Sequence, residues 1–225
     1  MKKTLSGAFI FVFLIALIVI ISFPSCSKNS NNSNGPGNSP TALWPLKAGN
    51  QWVYSDSLFN DSLFISANPD TVTALAQTYH DPSGFPLYEL TGTGQGWFYS
   101  GNFAGVDPNN DAIFLMDTLG AGSYLFFGTT NQDGIEIGSG TDFSNPTCPT
   151  QYSQYGFAST VAVKTYTCLR NVEYATDCNG VNQEVIIIYV SPGVGVVRIE
   201  DYELNSSNNL YLSYSQTLQS YTLAK

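Results

Sequence analysis

Glu184-Val185-Ile186-Ile187-Ile188-Tyr189-Val190-Ser191-Pro192-Gly193-Val194-Gly195-Val196-Val197-Arg198-Ile199-Glu200 is the stretch that decides the fold. Residues 185–190 are a short, continuous, β-branched apolar run, suited to a central strand buried on both faces. Pro192-Gly193 turns the chain, and residues 194–204 return it beside the first strand. Further on, residues 205–209 turn again. Residues 210–223 then alternate Leu210, Leu212 and Tyr214 against Tyr211, Ser213 and Ser215, the period of a half-buried strand. On the other side, Asn179-Gly180 is a hairpin turn signal. Residues 160–169, rich in Val and Thr, read as one long strand. Consecutive strands with short connections imply an antiparallel meander.

The first half of the chain repeats this grammar more weakly. Short strand signals fall at 63–65, 71–79, 87–90, 96–99, 112–116, 124–127 and 134–137, separated by Gly, Pro, Asn and Asp. No stretch after the leader holds a 3.6-residue period. The expectation is an all-β domain: a single antiparallel sheet of roughly 9–12 short strands, curved, or closed into an open barrel or sandwich, preceded by an N-terminal signal helix.

The domain opens at Leu43-Trp44-Pro45-Leu46-Lys47-Ala48-Gly49-Asn50-Gln51-Trp52-Val53-Tyr54. Together with Pro192-Gly193-Val194-Gly195-Val196-Val197-Arg198-Ile199-Glu200, this resembles a set of poorly characterised bacterial exported lipoproteins. Their domains begin with FPLxxGNxWxY and carry PGVGxVxxE near the end. The resemblance covers the two ends of the domain and brings no activity with it. It implies an antiparallel sheet, curved as in the open barrels of lipoprotein carriers.

The N-terminus has Lys2 and Lys3, an unbroken apolar run over residues 8–21, and Phe23-Pro24-Ser25-Cys26. A basic start, a short apolar segment and a small residue before the cut describe a secretory signal over residues 1–25. It resembles a lipoprotein signal, in which Cys26 is lipidated and becomes the first mature residue. Pro24 departs from that pattern. An ordinary cleaved signal and an uncleaved anchor helix over residues 5–23 remain open, and each exports the rest of the chain. Residues 26–42, mostly Asn, Ser, Gly and Pro, form a flexible tether. Residues 43–225 are the β domain. The expected location is the cell envelope, lipid-anchored, with the membrane as partner through that anchor. Which membrane face it occupies is open; the lack of acidic residues just after Cys26 favours the periplasmic one.

The chain carries 17 acidic and 8 basic residues, for a net charge of −9. That excludes binding nucleic acid or an anionic membrane surface through overall charge. Cys148, Cys168 and Cys178 remain after Cys26, and export permits disulfides. Cys148 and Cys178 both lie in turn-like sequence, which favours pairing them and burying Cys168; three free thiols are the alternative.

His80 is the only histidine and lies at a turn, so the usual catalytic triads and zinc sites have almost nothing to work with. No phosphate-binding or dinucleotide-binding glycine pattern occurs. Asp107, Asn109 and Asp111 place oxygens at alternate positions, as calcium loops do. Ala112 and Thr118 replace the Gly and Glu that such a loop needs, so a polar turn is the expectation. Glu200-Asp201-Tyr202-Glu203 divides its carboxylates between two strand faces. Ser57, Ser62, Thr71 and Thr118 each follow Asp and precede an aliphatic residue, an acceptor pattern for bacterial O-glycosylation that is also how a turn enters a strand.

These observations favour a non-catalytic envelope lipoprotein with a binding or structural role, for an apolar ligand or a protein partner, and with no cofactor. The alternative is a glycan-binding accessory lipoprotein. A carboxylate-dependent hydrolase ranks last. An enclosed aromatic cleft would favour the apolar ligand; tyrosines on an open face would favour a glycan.

Overall fold

The structure, a computed structural model, describes residues 43–81, 84–94, 96–98, 101–107, 112–116 and 124–225. The leader, the tether with Cys26, and Asn109, Asp111 and Thr118 lie outside the described residues.

Among the described residues, twelve strands make one antiparallel sheet. They are β1 (Gln51–Asn60), β2 (Leu63–His80), β3 (Pro86–Thr91), β4 (Phe103–Asp107), β5 (Ala112–Met116) and β6 (Tyr124–Gly128), then β7 (Ile135–Asp142), β8 (Thr150–Val163), β9 (Tyr166–Thr176), β10 (Asn182–Ser191), β11 (Gly195–Leu204) and β12 (Leu210–Thr222). The order is β6-β5-β4-β3-β2-β1-β12-β11-β10-β9-β8-β7, so sequence neighbours pair throughout except at one place. The sheet is nearly closed and barrel-shaped. Its two edges, β6 and β7, are consecutive in the chain. They meet through side chains rather than a hydrogen-bond ladder. Gln154 on β8 is 4 % exposed, and its Nε2 donates to the Phe126 carbonyl of β6 at 2.7 Å. Ile137 packs where a Gly128 side chain would begin, 3.2 Å from that Cβ position. Burial of this seam answers the usual liability of an open strand edge.

The interior is filled at one end by the start of the domain. Trp44 is 1 % exposed and lies 5.3 Å from Trp52 and 5.0 Å from Phe98, centre to centre. Trp52 Nε1 donates to the Val194 carbonyl at 2.8 Å, and the Tyr54 hydroxyl to the Val196 carbonyl at 3.0 Å. The two stretches that carry the family resemblance therefore pack against each other. Gly195 makes this possible: its φ is +105°, and a Cβ there would stand 2.2 Å from Trp44 Cδ1. Asn50 ties the two ends of the described domain, donating through Nδ2 to the Pro45 carbonyl and accepting from the Ala224 N–H at 2.6 Å.

The local predictions need three corrections. Gly96, Trp97 and Phe98 form no strand; they belong to the β3–β4 connection, and Phe98 is fully buried beside Trp44. Residues 160–169 are not continuous. Lys164 takes φ +52° in a tight turn between β8 and β9. The signals at 63–65 and 71–79 are parts of the single strand β2, whose register against β3 shifts twice, between Ala74 and Gln77 and between Gln77 and Tyr79. Such shifts break the alternation by which a strand is read.

Candidate functional site

Gln154, Asn171, Ile188, Ile199, Gln216, Tyr54 and Val72 point into the barrel and are nearly or fully buried. Their sequence neighbours point outwards, because a strand alternates its faces. On β8 the outward residues are Ser153, Tyr155 and Phe157; on β9 they include Arg170 and Tyr174. The register sets Ser153 opposite Tyr174 and Phe157 opposite Arg170, and directly opposed residues share a face. Tyr155 and Tyr174 meet edge-to-face at 5.9 Å. With Phe157, Ser153, Thr176 and Asn182 they line a shallow, open depression of about 460 Å³. Its floor is rigid sheet, its walls are half-buried rings, and its fringe holds hydroxyl and amide groups.

The inner face holds several buried acidic groups, Asp56 and Asp70 among them. Asp70 is fully buried. Its Oδ1 accepts from the Thr93 and Gly94 N–H groups at 2.9 and 2.7 Å, and its Oδ2 from Gln216 Nε2 at 3.2 Å. It thus pins the β3–β4 connection to the barrel wall. A side chain at Gly96 would collide with Gln216 and Tyr214, so the connection lies directly on that wall. Burial pushes the Asp56 carboxyl up, with the Asp70 charge adding to it, while the nearby Tyr214 hydroxyl and Gln216 amide act the other way. Farther along, Asp201 of β11 and Glu184 of β10 share a hydrogen bond. Burial, then the Glu184 and Glu203 charges, push Asp201 up to about 7; burial raises Glu184 as well.

Glu200 and Tyr202 do share a face, as alternation predicts. Glu200 Oε2 accepts from the hydroxyls of Tyr189 and Tyr202 at 3.1 and 3.4 Å, and Oε1 pairs with Arg198 at 2.7 Å. Cys148, ahead of β8, and Cys178, after β9, form a disulfide with Cα atoms 5.0 Å apart. Cys168 is free and buried, and burial lifts its thiol to about 11. Asp107 closes β4 and is 6 % exposed. His80, at the end of β2, lies 3.0 Å from Gln77 Nε2. Among the described residues no three His, Cys, Asp or Glu side chains are placed to hold a metal ion.

Of the Asp-Ser/Thr acceptor positions, Ser62 lies at the exposed tip of the β1–β2 hairpin. Asp61 and Ser62 both have positive φ, 52° and 69°, as a two-residue hairpin turn requires. Ser57 and Thr71 are inside strands, and the aspartates before them, Asp56 and Asp70, are buried.

The aromatic depression was not read from the sequence. Tyr155 and Phe157 do alternate with Gln154 and Gly156, and that period was the available signal.

No protein-family model matches the chain, and no curated protein sequence matches it. Two solved structures resemble it. One is an inferred exported protein with a YmcC-like fold from Bacteroides fragilis: 13 % identity, TM-score 0.47, covering 80 % of this chain and 98 % of that one. The other is an inferred lipoprotein from Parabacteroides distasonis: 14 % identity, TM-score 0.46, covering 82 % of this chain and 100 % of that one. At this level of likeness the names describe those proteins alone.

Proposed function

We propose that this chain is a non-catalytic envelope protein, exported by its leader and held by a lipid on Cys26, and that it binds a saccharide on the Tyr155–Phe157–Tyr174 face. The observation that carries the reading is where the aromatics point. Trp44, Trp52, Tyr54, Phe98 and Phe127 are each under 2 % exposed and fill the interior, which favours a packed core over an apolar ligand chamber. Tyr155, Phe157 and Tyr174 instead face outwards around an open depression. Tyrosine presents an apolar ring and a polar tip at low conformational cost. A sugar offers the matching surface, with C–H groups on its faces and hydroxyls at its edge. Ser153, Thr176 and Asn182 supply edge hydrogen bonds.

The test is binding of the purified exported domain to an immobilised glycan panel, followed by titration calorimetry on the best binder. Tyr155→Ala and Tyr174→Ala should each weaken binding by about tenfold or more with the unfolding temperature nearly unchanged. Unaltered binding in both variants sinks the reading, as does uptake of a fatty acid in place of any glycan.

A second reading, docking of a protein partner, rests on the β1–β2 hairpin. Leu63, Phe64 and Ile65 there are 60–74 % exposed, more contiguous apolar surface than a hairpin tip needs. Phe64→Ser would abolish such docking while leaving glycan binding intact.

A further inference from the structure

The register that builds the aromatic face continues across the barrel wall as one row: Phe157, Arg170, Tyr189, Arg198 and Thr217 are successive partners on β8, β9, β10, β11 and β12. Neighbouring strands lie about 4.8 Å apart, so Arg170 and Arg198 flank Tyr189 with their Cα atoms about 10 Å from each other. Lys164 joins them from the β8–β9 turn. Its Nζ reaches the Leu218 carbonyl and Gln219 Oε1 of β12, both at 3.1 Å. Lys164, Arg170, Tyr189, Arg198 and Thr217, with Val161 beside them, line a cleft of about 260 Å³.

The charge balance of this cleft is unlike the rest of the molecule. A chain of net charge −9 with 8 basic residues gathers Lys164, Arg170 and Arg198 in one place. Among the described residues only Arg198 has an ion-pair partner, Glu200, and that contact uses Nη2. Lys164 is held by neutral oxygens. Arg170 lies over the Phe157 ring, 4.3 Å from its centre, a cation–π contact that orients the guanidinium without neutralising it. The Nε atoms of Arg170 and Arg198 are buried and without a hydrogen-bond partner, although a buried N–H donor is costly to leave unpaired. Like charges brought together beside unspent donors mark a place for an anion.

Phe157 lines the aromatic depression and also carries Arg170, which lines the cleft. The two are therefore adjoining halves of one surface. We infer that the saccharide bound by this protein is anionic: its ring lies on Tyr155, Phe157 and Tyr174, and its carboxylate or sulfate is held by Arg170, Arg198 and Lys164. This rests on the saccharide reading above. Thr217 supplies a neutral hydroxyl beside the cations. Glu200 is already committed to Arg198 and to the Tyr189 and Tyr202 hydroxyls, and Asp133 is a second carboxylate whose charge reaches Arg170.

The experiment compares tetragalacturonate, hyaluronan hexasaccharide and a sulfated chondroitin disaccharide with maltotetraose, by calorimetry on the purified domain. At least one acidic probe should bind about tenfold or more tighter than maltotetraose, and that advantage should fade between about 20 and 500 mM salt. The ratio of carboxylated to sulfated binding identifies the anion. Arg170→Gln should lower affinity for the acidic probe about tenfold more than it lowers affinity for maltotetraose. Arg198→Gln leaves the nearly buried Glu200 without its cation and so destabilises the wall, which makes Lys164→Gln the second variant. If acidic and neutral probes bind equally and the salt series is flat, the inference falls and the aromatic site stands. If Arg170→Gln abolishes acidic binding but Tyr155→Ala and Tyr174→Ala do not weaken it, the anion site stands and the saccharide face falls. If no acidic probe binds, the inference is overturned.

Discussion

Replacing Gly195 by alanine tests how the barrel is closed at its Trp44 end. Two separable costs are expected. The first is conformational: φ at Gly195 is +105°, a region that an L side chain enters at a cost of about 1–2 kcal/mol. The second is steric. The added Cβ would lie 2.2 Å from Trp44 Cδ1 and 2.6 Å from Nε1. Trp44 cannot step back, since it is 1 % exposed and packed against Trp52 and Phe98. Overpacking of such a site costs about 1–3 kcal/mol. Together they predict a loss of about 2–5 kcal/mol, a fall of roughly 1–2 M in urea midpoint for a domain of this size. Tryptophan fluorescence reports the transition, because Trp44 and Trp52 are both in the affected cluster. Gly134→Ala is the control. Its φ is +71° and nothing lies within 4 Å of the added Cβ, so it bears the conformational cost alone. In a Trp44→Ala background the Gly195→Ala penalty should shrink to that same value, a coupling that a double-mutant cycle measures. Equal losses at Gly134 and Gly195, or a penalty unaffected by removing Trp44, would refute the seating of Trp44 against the β10–β11 turn.

Two further outcomes follow from the geometry. Asp201 is raised to about 7 in the folded protein, above its ordinary value in the unfolded chain, so the folded state holds the extra proton between about pH 4 and 7. Stability contributed by that proton is full below pH 4 and declines as pH rises to 7. After discounting for its partial exposure, Asp201→Asn should recover about 1–3 kcal/mol at pH 8 and flatten urea midpoints measured from pH 4 to 8; an unchanged slope contradicts the burial of Asp201 beside Glu184 and Glu203. Reduction of Cys148–Cys178, which closes a separation of 30 residues, should cost about 3–4 kcal/mol by loop entropy. Thermal unfolding with and without reductant reads it, and a shift under 1 °C would count against the bridge.

Some of this fold is local and was legible. Strands β10 to β12 show as apolar runs or alternation bounded by Asn179-Gly180, Pro192-Gly193 and residues 205–209, because turn residues and period-2 burial act over a few positions. The β8–β9 turn was missed because Lys164-Thr165 is no turn sequence. Lys164 holds its positive φ while its Nζ bonds to β12, which is distant in the chain. Phe98 was read into a strand from its apolar neighbours, and the need to fill the barrel beside Trp44 places it elsewhere.

The amino-acid sequence by itself determined that this is an all-β, acidic chain, since composition and short-range periodicity carry those properties residue by residue. Only the tertiary structure decided that residues 43–54 and 192–200 pack together, that β6 and β7 form the seam, and that Phe157, Arg170, Tyr189, Arg198 and Thr217 stand in one row. Those facts depend on strand register. A shift of one residue turns every side chain of a strand to the opposite face, and no single segment contains the information that fixes it.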